Sequence, residues 1–213
     1  MKVFIYIFYF FRSLFLRGFI NTIKLIKAET INEKKYSITT SSIKKSNSTE
    51  FFHYQGAGYL VLFRIFRAIE EKTKNFAFVD IGCGKGRPVF VAESFGYNNL
   101  TGIDLDGELI DIANENLKNY LLKRESSNIK FIKVNALDYA YLNQPTVYFL
   151  FNPFNEAVLD KTINKILSST SSETWFVYMN PMFKNCFVHE KIEVVCELKT
   201  KRYLEAIIYR VKH

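Results

Sequence analysis

The 213-residue chain is poor in the residues that punctuate or staple a fold, with four prolines, nine glycines and three cysteines. Cys83, Cys186 and Cys196 are odd in number and lack C-x-x-C spacing. That excludes a disulfide framework and a zinc ribbon, and suits a reducing compartment, the cytoplasm. His53, His189 and His213 are too scattered to complete a ligand set, so no metal is expected. The apolar run Val3 to Phe11 ends at Arg12, well short of the roughly 20 residues a spanning helix needs. No small-x-small cleavage site follows it in residues 12–20, so a cleaved leader is not expected either.

Acidic residues are scarce at the start: residues 1–50 carry nine Lys/Arg against three Asp/Glu, whereas residues 51–213 are close to neutral at +2. A nucleic-acid enzyme more often carries its basic surface around the cleft, so RNA or DNA ranks behind a membrane surface or docking partner. The length suits one α/β core with an appendage. At about 100° per residue, Lys2, Arg12, Ser13, Arg17, Lys24 and Lys27 fall on one arc, interrupted by Tyr6, Tyr9 and Ile20. Residues 1–34 therefore read as a basic amphipathic helix. Two placements stay open: residues 1–27 against an anionic membrane at its inner face, or the apolar side docked on the chain's own domain. Residues 35–52, rich in Ser, Thr and Lys, read as a linker or lid, and 53–213 as the α/β domain.

From Ala57 to Lys72 the polar residues Arg64, Arg67 and Glu71 recur at helical spacing. Phe76 to Ile81 is a buried strand that runs into Asp80-Ile81-Gly82-Cys83-Gly84-Lys85-Gly86-Arg87, and Pro88 then opens a helix. Glycines in a strand-to-helix turn let backbone pass close under a ligand at a helix start, where free N–H groups favour an anionic group. A dinucleotide fingerprint needs glycine where Arg87 stands, and a P-loop fails at Val79 and Gly86. The motif present is D-x-G-x-G-x-G. A second strand, Leu100 to Ile103, ends on Asp104, placed as a ribose acceptor would be. Asp106 caps the next helix, to Leu122, and a third strand, Ile129 to Val134, delivers Asn135, Ala136 and Asp138 to the same edge.

In that order these elements resemble the cofactor site of the class I S-adenosylmethionine-dependent methyltransferases, small bacterial members in particular, from about Tyr36 to Val211. The resemblance implies an α/β Rossmann-like fold: a seven-stranded, mostly parallel sheet with helices on both faces and the last strand antiparallel. It implies S-adenosylmethionine as cofactor, with Gly82, Gly84 and Gly86 lining its methionine part behind Asp80, Asp104 on ribose, and Asn135 or Ala136 at adenine. The family usually has aspartate where Asn135 stands; Asp138 is the alternative.

Two further apolar strands, Thr146 to Phe151 and Thr174 to Met179, both run into Asn-Pro. Asn152-Pro153-Phe154 is similar to the Asn/Asp-Pro-Pro-Tyr/Phe motif of methyltransferases acting on amino nitrogens, although the second proline is missing. It implies that Asn152 and the Pro153 carbonyl accept N–H bonds while Phe154 packs on the acceptor. Tyr54 matches a tyrosine of the cofactor-covering segment in relatives resembling protein-lysine methyltransferases, without their prolines. His53 is a candidate base. The expected activity is N-methylation of an amine, protein lysine or small molecule. The alternatives are a non-catalytic cofactor-binding module acting through its arm and a methyltransferase for RNA, DNA or a lipid or glycan precursor. Strands Ile192 to Lys199 and Tyr203 to Val211 close the sheet.

Overall fold

The computed structural model describes residues 2–41, 54–124, 126–200 and 202–212, without the side chains of residues 2–6, 8, 9 and 17. Five strands run parallel: β1 (Ala77–Ile81), β2 (Leu100–Asp104), β3 (Ile129–Lys133), β4 (Thr146–Leu150) and β5 (Thr174–Met179). Two more, β6 (Ile192–Lys199) and β7 (Leu204–Val211), complete a sheet in the order β3-β2-β1-β4-β5-β7-β6. The last strand, β7, is antiparallel to both its neighbours, as expected. Strand order reverses between β1 and β4, which opens a crevice beyond their carboxyl ends.

Burial explains the sheet. β1, β4 and β5 are buried along their whole length, as strands covered on both faces must be. Side-chain alternation divides them between two cores: Phe78, Val147, Phe149, Trp175 and Val177 enter one, Val79, Tyr148, Leu150, Phe176 and Tyr178 the other. Helices α3 (Tyr59–Thr73) and α4 (Arg87–Ser94) bring Leu62, Ile65, Phe66, Val89 and Phe90 to the first core, and α5 (Gly107–Leu121) brings Tyr120. On the other face α6 (Glu156–Ser169) contributes Leu159, Ile163 and Ile166 at spacings of four and three. The Asp106 cap forms as expected, its Oδ1 accepting from the Glu108 amide at 3.0 Å. Helix α6 is an element the sequence reading did not anticipate; Asn155 caps it through the Val158 amide at 3.0 Å.

The arm differs from the single helix expected over residues 1–34. Two helices stand there, α1 (Lys2–Arg17) and α2 (Phe19–Tyr36). Between them Gly18 takes φ 82° and ψ 167°, a conformation essentially reserved for glycine, so the helix cannot continue through it. The apolar side of α2 docks on the first core through Ala28 and Tyr36. The Tyr36 ring stacks on Tyr59 at 5.9 Å between centroids and on Tyr120 at 6.4 Å. Tyr36, Ile38 and Thr40, from the segment expected as linker or lid, are all buried. Residues 42–52 of that segment and His53 lie outside the described residues.

Candidate functional site

The loop from Gly82 to Gly86 joins β1 to α4 at the carboxyl edge of the sheet. Gly82 and Gly84 have φ of 75° and 54°, which L side chains rarely adopt. Space forbids a side chain as well: a Cβ on Gly82 would stand 2.4 Å from Pro153 Cβ, and one on Gly84 2.2 Å from the Tyr54 ring. Pro153 and Tyr54 thus enclose the loop. Gly86 points inward instead, where a Cβ would meet Phe131 at 2.4 Å, so it lets α4 close on β3. The Tyr54 hydroxyl donates to the Thr40 carbonyl at 2.8 Å, and burial pushes its pKa up.

Two carboxylates lie at the carboxyl ends of neighbouring strands, Asp80 one residue inside the end of β1 and Asp104 the last residue of β2. Asp104 accepts from the Gly84 amide at 2.8 Å through Oδ2 and from the Asp106 amide at 2.9 Å through Oδ1, which fixes its plane beside the loop. Burial raises its pKa against these N–H contacts. Asp80 is buried and its Oδ2 has no hydrogen-bond partner. Burial first, and then the charge of Asp104, hold the Asp80 carboxyl well above its ordinary range. The same causes, burial and then the two aspartates, raise the Cys83 thiol. A buried acceptor with nothing to accept from is costly and fits a ligand that brings a cation or an N–H donor. S-adenosylmethionine, with an ammonium and a sulfonium, has that character, so the acids and the enclosed glycine loop fit it.

Beyond β3, the Asn135 Oδ1 accepts from the Leu137 amide at 2.9 Å, and Ala136 is buried beside it. The amide oxygen keeps a second lone pair for a donor such as an adenine amino group. Asp138, the alternative, is exposed. Among the described residues no group of three or more His, Cys, Asp or Glu is arranged to hold a metal ion.

Arg87 stands where a dinucleotide fingerprint would have its third glycine. In the structure it is 1% exposed and binds the arm to the loop. Its Nη1 reaches Glu29 Oε2 and the Ala57 carbonyl, both at 2.7 Å. Nε donates to Thr40 Oγ1 at 2.6 Å, Nη2 to Glu33 and Ser41 at 3.2 Å, and the guanidinium lies 4.4 Å from the Tyr59 ring centroid. Burial opposes the Arg87 cation, but Glu29 leads the groups that hold its pKa raised. Glu33 is lowered: burial pushes it up, and hydrogen bonds from Thr40 and Ser41 with the Arg87 charge outweigh that. Glu29 and Glu33, one helical turn apart, are the first acids after a basic stretch, and that spacing was the available signal.

At the ends of β4 and β5 the two Asn-Pro turns are tied together. Asn152 and Asn180 are both left-handed, at φ 44° and 51°. Asn152 Nδ2 donates to the Asn180 carbonyl, and Asn152 Oδ1 accepts from the Tyr178 hydroxyl at 2.6 Å and the Met182 amide at 3.4 Å. Asn180 Oδ1 in turn accepts from the Tyr203 hydroxyl. The carboxamide expected to face an acceptor is therefore engaged in holding the turn. Phe154, expected to pack on the acceptor, is 6% exposed and lies in the second core. Both side chains have partners that local sequence does not indicate, because Tyr178 and the second core lie far off in sequence. Pro153, against Gly82, stays at the site.

The family model described as a methyltransferase domain matches residues 78–171, from β1 past the end of α6. This span contains the glycine loop, both aspartates, Asn135 and the Asn152 turn. Those residues of the chain are thereby identified as a methyltransferase domain, set in the α/β methyltransferase fold. It is an enzyme, and its cofactor is S-adenosylmethionine. No curated protein matches the chain in sequence. Solved structures share the fold. A candidate methyltransferase from Escherichia coli superposes with a TM-score of 0.61 at 18% identity, covering 81% of this chain and 91% of its own. Magnesium protoporphyrin IX methyltransferase from Synechocystis, solved with bound S-adenosylmethionine, gives 0.56 at 11%, covering 72% and 79%. Ribosomal protein L11 methylase from Lactobacillus delbrueckii subsp. bulgaricus gives 0.52 at 17%, covering 72% and 78%.

Proposed function

We propose that this methyltransferase acts in the cytoplasm on the nitrogen of an amine, a protein lysine or a small molecule. The observation that supports this reading is the seat of Pro153 on Gly82, which brings the Asn152-Pro153 turn directly against the loop that holds the methyl donor. The cofactor supplies an electrophilic methyl group on a sulfonium. The chain's own task is orientation and exclusion of water. The main-chain carbonyls of Asn152 and Pro153 offer two acceptors, which suits a nitrogen with two hydrogens and aims its lone pair. Asn152 positions these carbonyls through Tyr178 and Asn180 and does not use its side chain on the acceptor. No proton step is assigned to His53. The neighbours act, by name, on a porphyrin and a ribosomal protein, so the shared fold does not select the acceptor.

The test is transfer of tritiated methyl from S-adenosylmethionine into a cell extract separated into protein, lipid, nucleic acid and small molecules. Label recovered as methyl-lysine or another methylamine supports the reading. Base-labile methyl esters, methyl ethers, or label confined to RNA or DNA overturn it.

A further inference from the structure

Helix α1 presents an apolar stripe that the other described residues leave uncovered. Ile7, Phe11 and Phe15, four residues apart, lie on one face, and Phe11 and Phe15 are 62% and 70% exposed. Phe19 and Ile20 continue the patch past Gly18 and are exposed to a similar degree. Its surroundings are basic. Residues 1–28 contain Lys2, Arg12, Arg17, Lys24 and Lys27 and no acidic residue, and the Arg12, Lys24 and Lys27 side chains are exposed.

The position of this patch is fixed by two sets of contacts. Ser13 Oγ and Thr22 Oγ1, 3.0 Å apart, hold α1 against α2. At the other end the turn between β6 and β7 meets α1: Thr200 Oγ1 donates to the Leu16 carbonyl and Arg202 Nη1 to the Phe15 carbonyl, each at 3.4 Å, and the Arg202 guanidinium lies 5.1 Å from the Phe15 ring centroid. Because β7 is antiparallel to β5, that turn sits at the carboxyl edge of the parallel strands, where Tyr203 bonds Asn180. The stripe therefore ends at the rim of the methyl-transfer cleft, with Arg202 added to its cations.

We infer that α1, the start of α2 and the β6–β7 turn form a docking surface for an anionic lipid bilayer, which holds the mouth of the cleft at the membrane interface and so favours acceptors presented there. Charge selects this occupant. A second copy of the chain would set one basic margin of the stripe against another, with no acidic residue in residues 1–28 to offset the repulsion, and nucleic acid would leave the phenylalanines in water. An anionic bilayer takes up both halves, apolar side chains into the boundary of the acyl region and cations among the headgroups. Among the described residues no helix is long and apolar enough to cross a membrane, which matches a helix lying in the interface. The inference goes beyond the amine reading and does not depend on which atom is methylated.

The experiment is flotation of the full chain with vesicles of phosphatidylglycerol and phosphatidylcholine, against pure phosphatidylcholine, read without methyl transfer. Binding to the anionic vesicles is expected, and should fall at least tenfold in Phe11→Ser/Phe15→Ser and in Arg12→Gln/Lys24→Gln/Lys27→Gln. Both variants change only exposed side chains, so S-adenosylmethionine binding, measured by filter retention, should stay unchanged and report that they fold. Hydrogen exchange on the vesicles should slow at residues 7–20 and 199–203 and not at residues 142–145, on the opposite edge. Failure to float with anionic vesicles, equal binding by the variants, or protection at 142–145 in place of 199–203 overturns the inference. So does a dimer in solution that Phe11→Ser/Phe15→Ser dissociates.

Discussion

Arg87 Nη1 lies 2.7 Å from Glu29 Oε2, and this contact joins the first turn of the helix behind the glycine loop to the arm. Glu33, one turn further along α2, meets the same guanidinium. The arm is thereby part of the cofactor site's scaffold and not a tether alone. A guanidinium this buried is tolerated only while its partners remain, since an unpaired interior charge is far more costly than a missing pair.

Removing the acids should therefore do more harm than removing the base. Glu29→Gln/Glu33→Gln leaves Arg87 buried without these counter-charges and is expected to lower stability by about 2–4 kcal/mol, somewhat below the range for fully buried pairs because both carboxylates are partly exposed. Adding Arg87→Met to that double variant should recover part of the loss. Urea unfolding measures both. A double variant as stable as the parent would show that the contact carries no structural weight.

The same contact separates two truncations. Deleting residues 1–17 removes α1, none of whose described side chains is buried, so cooperative unfolding and cofactor binding should survive. Deleting residues 1–36 takes away Glu29, Glu33 and Tyr36 together and should abolish a cooperative thermal transition. Calorimetric scans of the two would contradict this account if the longer deletion unfolds as sharply as the shorter.

The sequence made the sheet legible because β1, β4 and β5 are continuous apolar runs that end on chemically distinctive residues, Asp80, Asn152 and Asn180. The cofactor loop was legible for a similar reason: its glycines, Asp104 and Asn135 follow their strands directly, so local order predicts their place. Non-local partners were not. Nothing near Asn152 indicates that the Tyr178 hydroxyl faces its oxygen, or that Phe154 turns into the second core. The two-helix arm had a visible cause in Gly18, but a helical wheel drawn through a glycine ignores its backbone freedom. Helix α6 was passed over although Asn155, Leu159, Ile163 and Ile166 carry both cap and stripe.

Asp80 gives a pH dependence with a defined sign. Its native pKa is raised above the ordinary 3.8 by burial and then by Asp104, so the cofactor-free fold binds a proton there that the unfolded chain has lost. That stabilisation is complete below 3.8 and is lost as pH rises through the raised native value. A cationic cofactor favours the ionised form, so binding should release a proton in this window and tighten with rising pH by up to about tenfold per unit, the slope of one coupled proton. Calorimetry in buffers of different ionisation enthalpy counts the proton. Asp80→Asn should flatten the profile; a profile unchanged in that variant would assign the proton elsewhere.

Two roles for Asn152, holding the turn or touching the acceptor, differ in what its variants should do. Its left-handed backbone, φ 44°, is easier for glycine than for alanine, so Asn152→Gly removes the carboxamide with less backbone strain than Asn152→Ala. Both variants leave the Tyr178 hydroxyl without its acceptor and the Asn180 carbonyl without its donor, a loss of about 1–3 kcal/mol for groups this buried. Tyr178→Phe removes one end of the same bond at a distance from the cleft. If Asn152 acts by positioning, Tyr178→Phe should lower kcat as well, and the double variant Asn152→Gly/Tyr178→Phe should be no worse than Asn152→Gly alone, because neither residue can act without the other. Cofactor affinity should change little in all of them, since the turn aligns the acceptor and that alignment matters most in the transition state. If instead Asn152→Gly loses turnover by a hundredfold while Tyr178→Phe is near normal, the carboxamide touches the acceptor directly, and its bonds to Tyr178 and Asn180 must open when the acceptor binds.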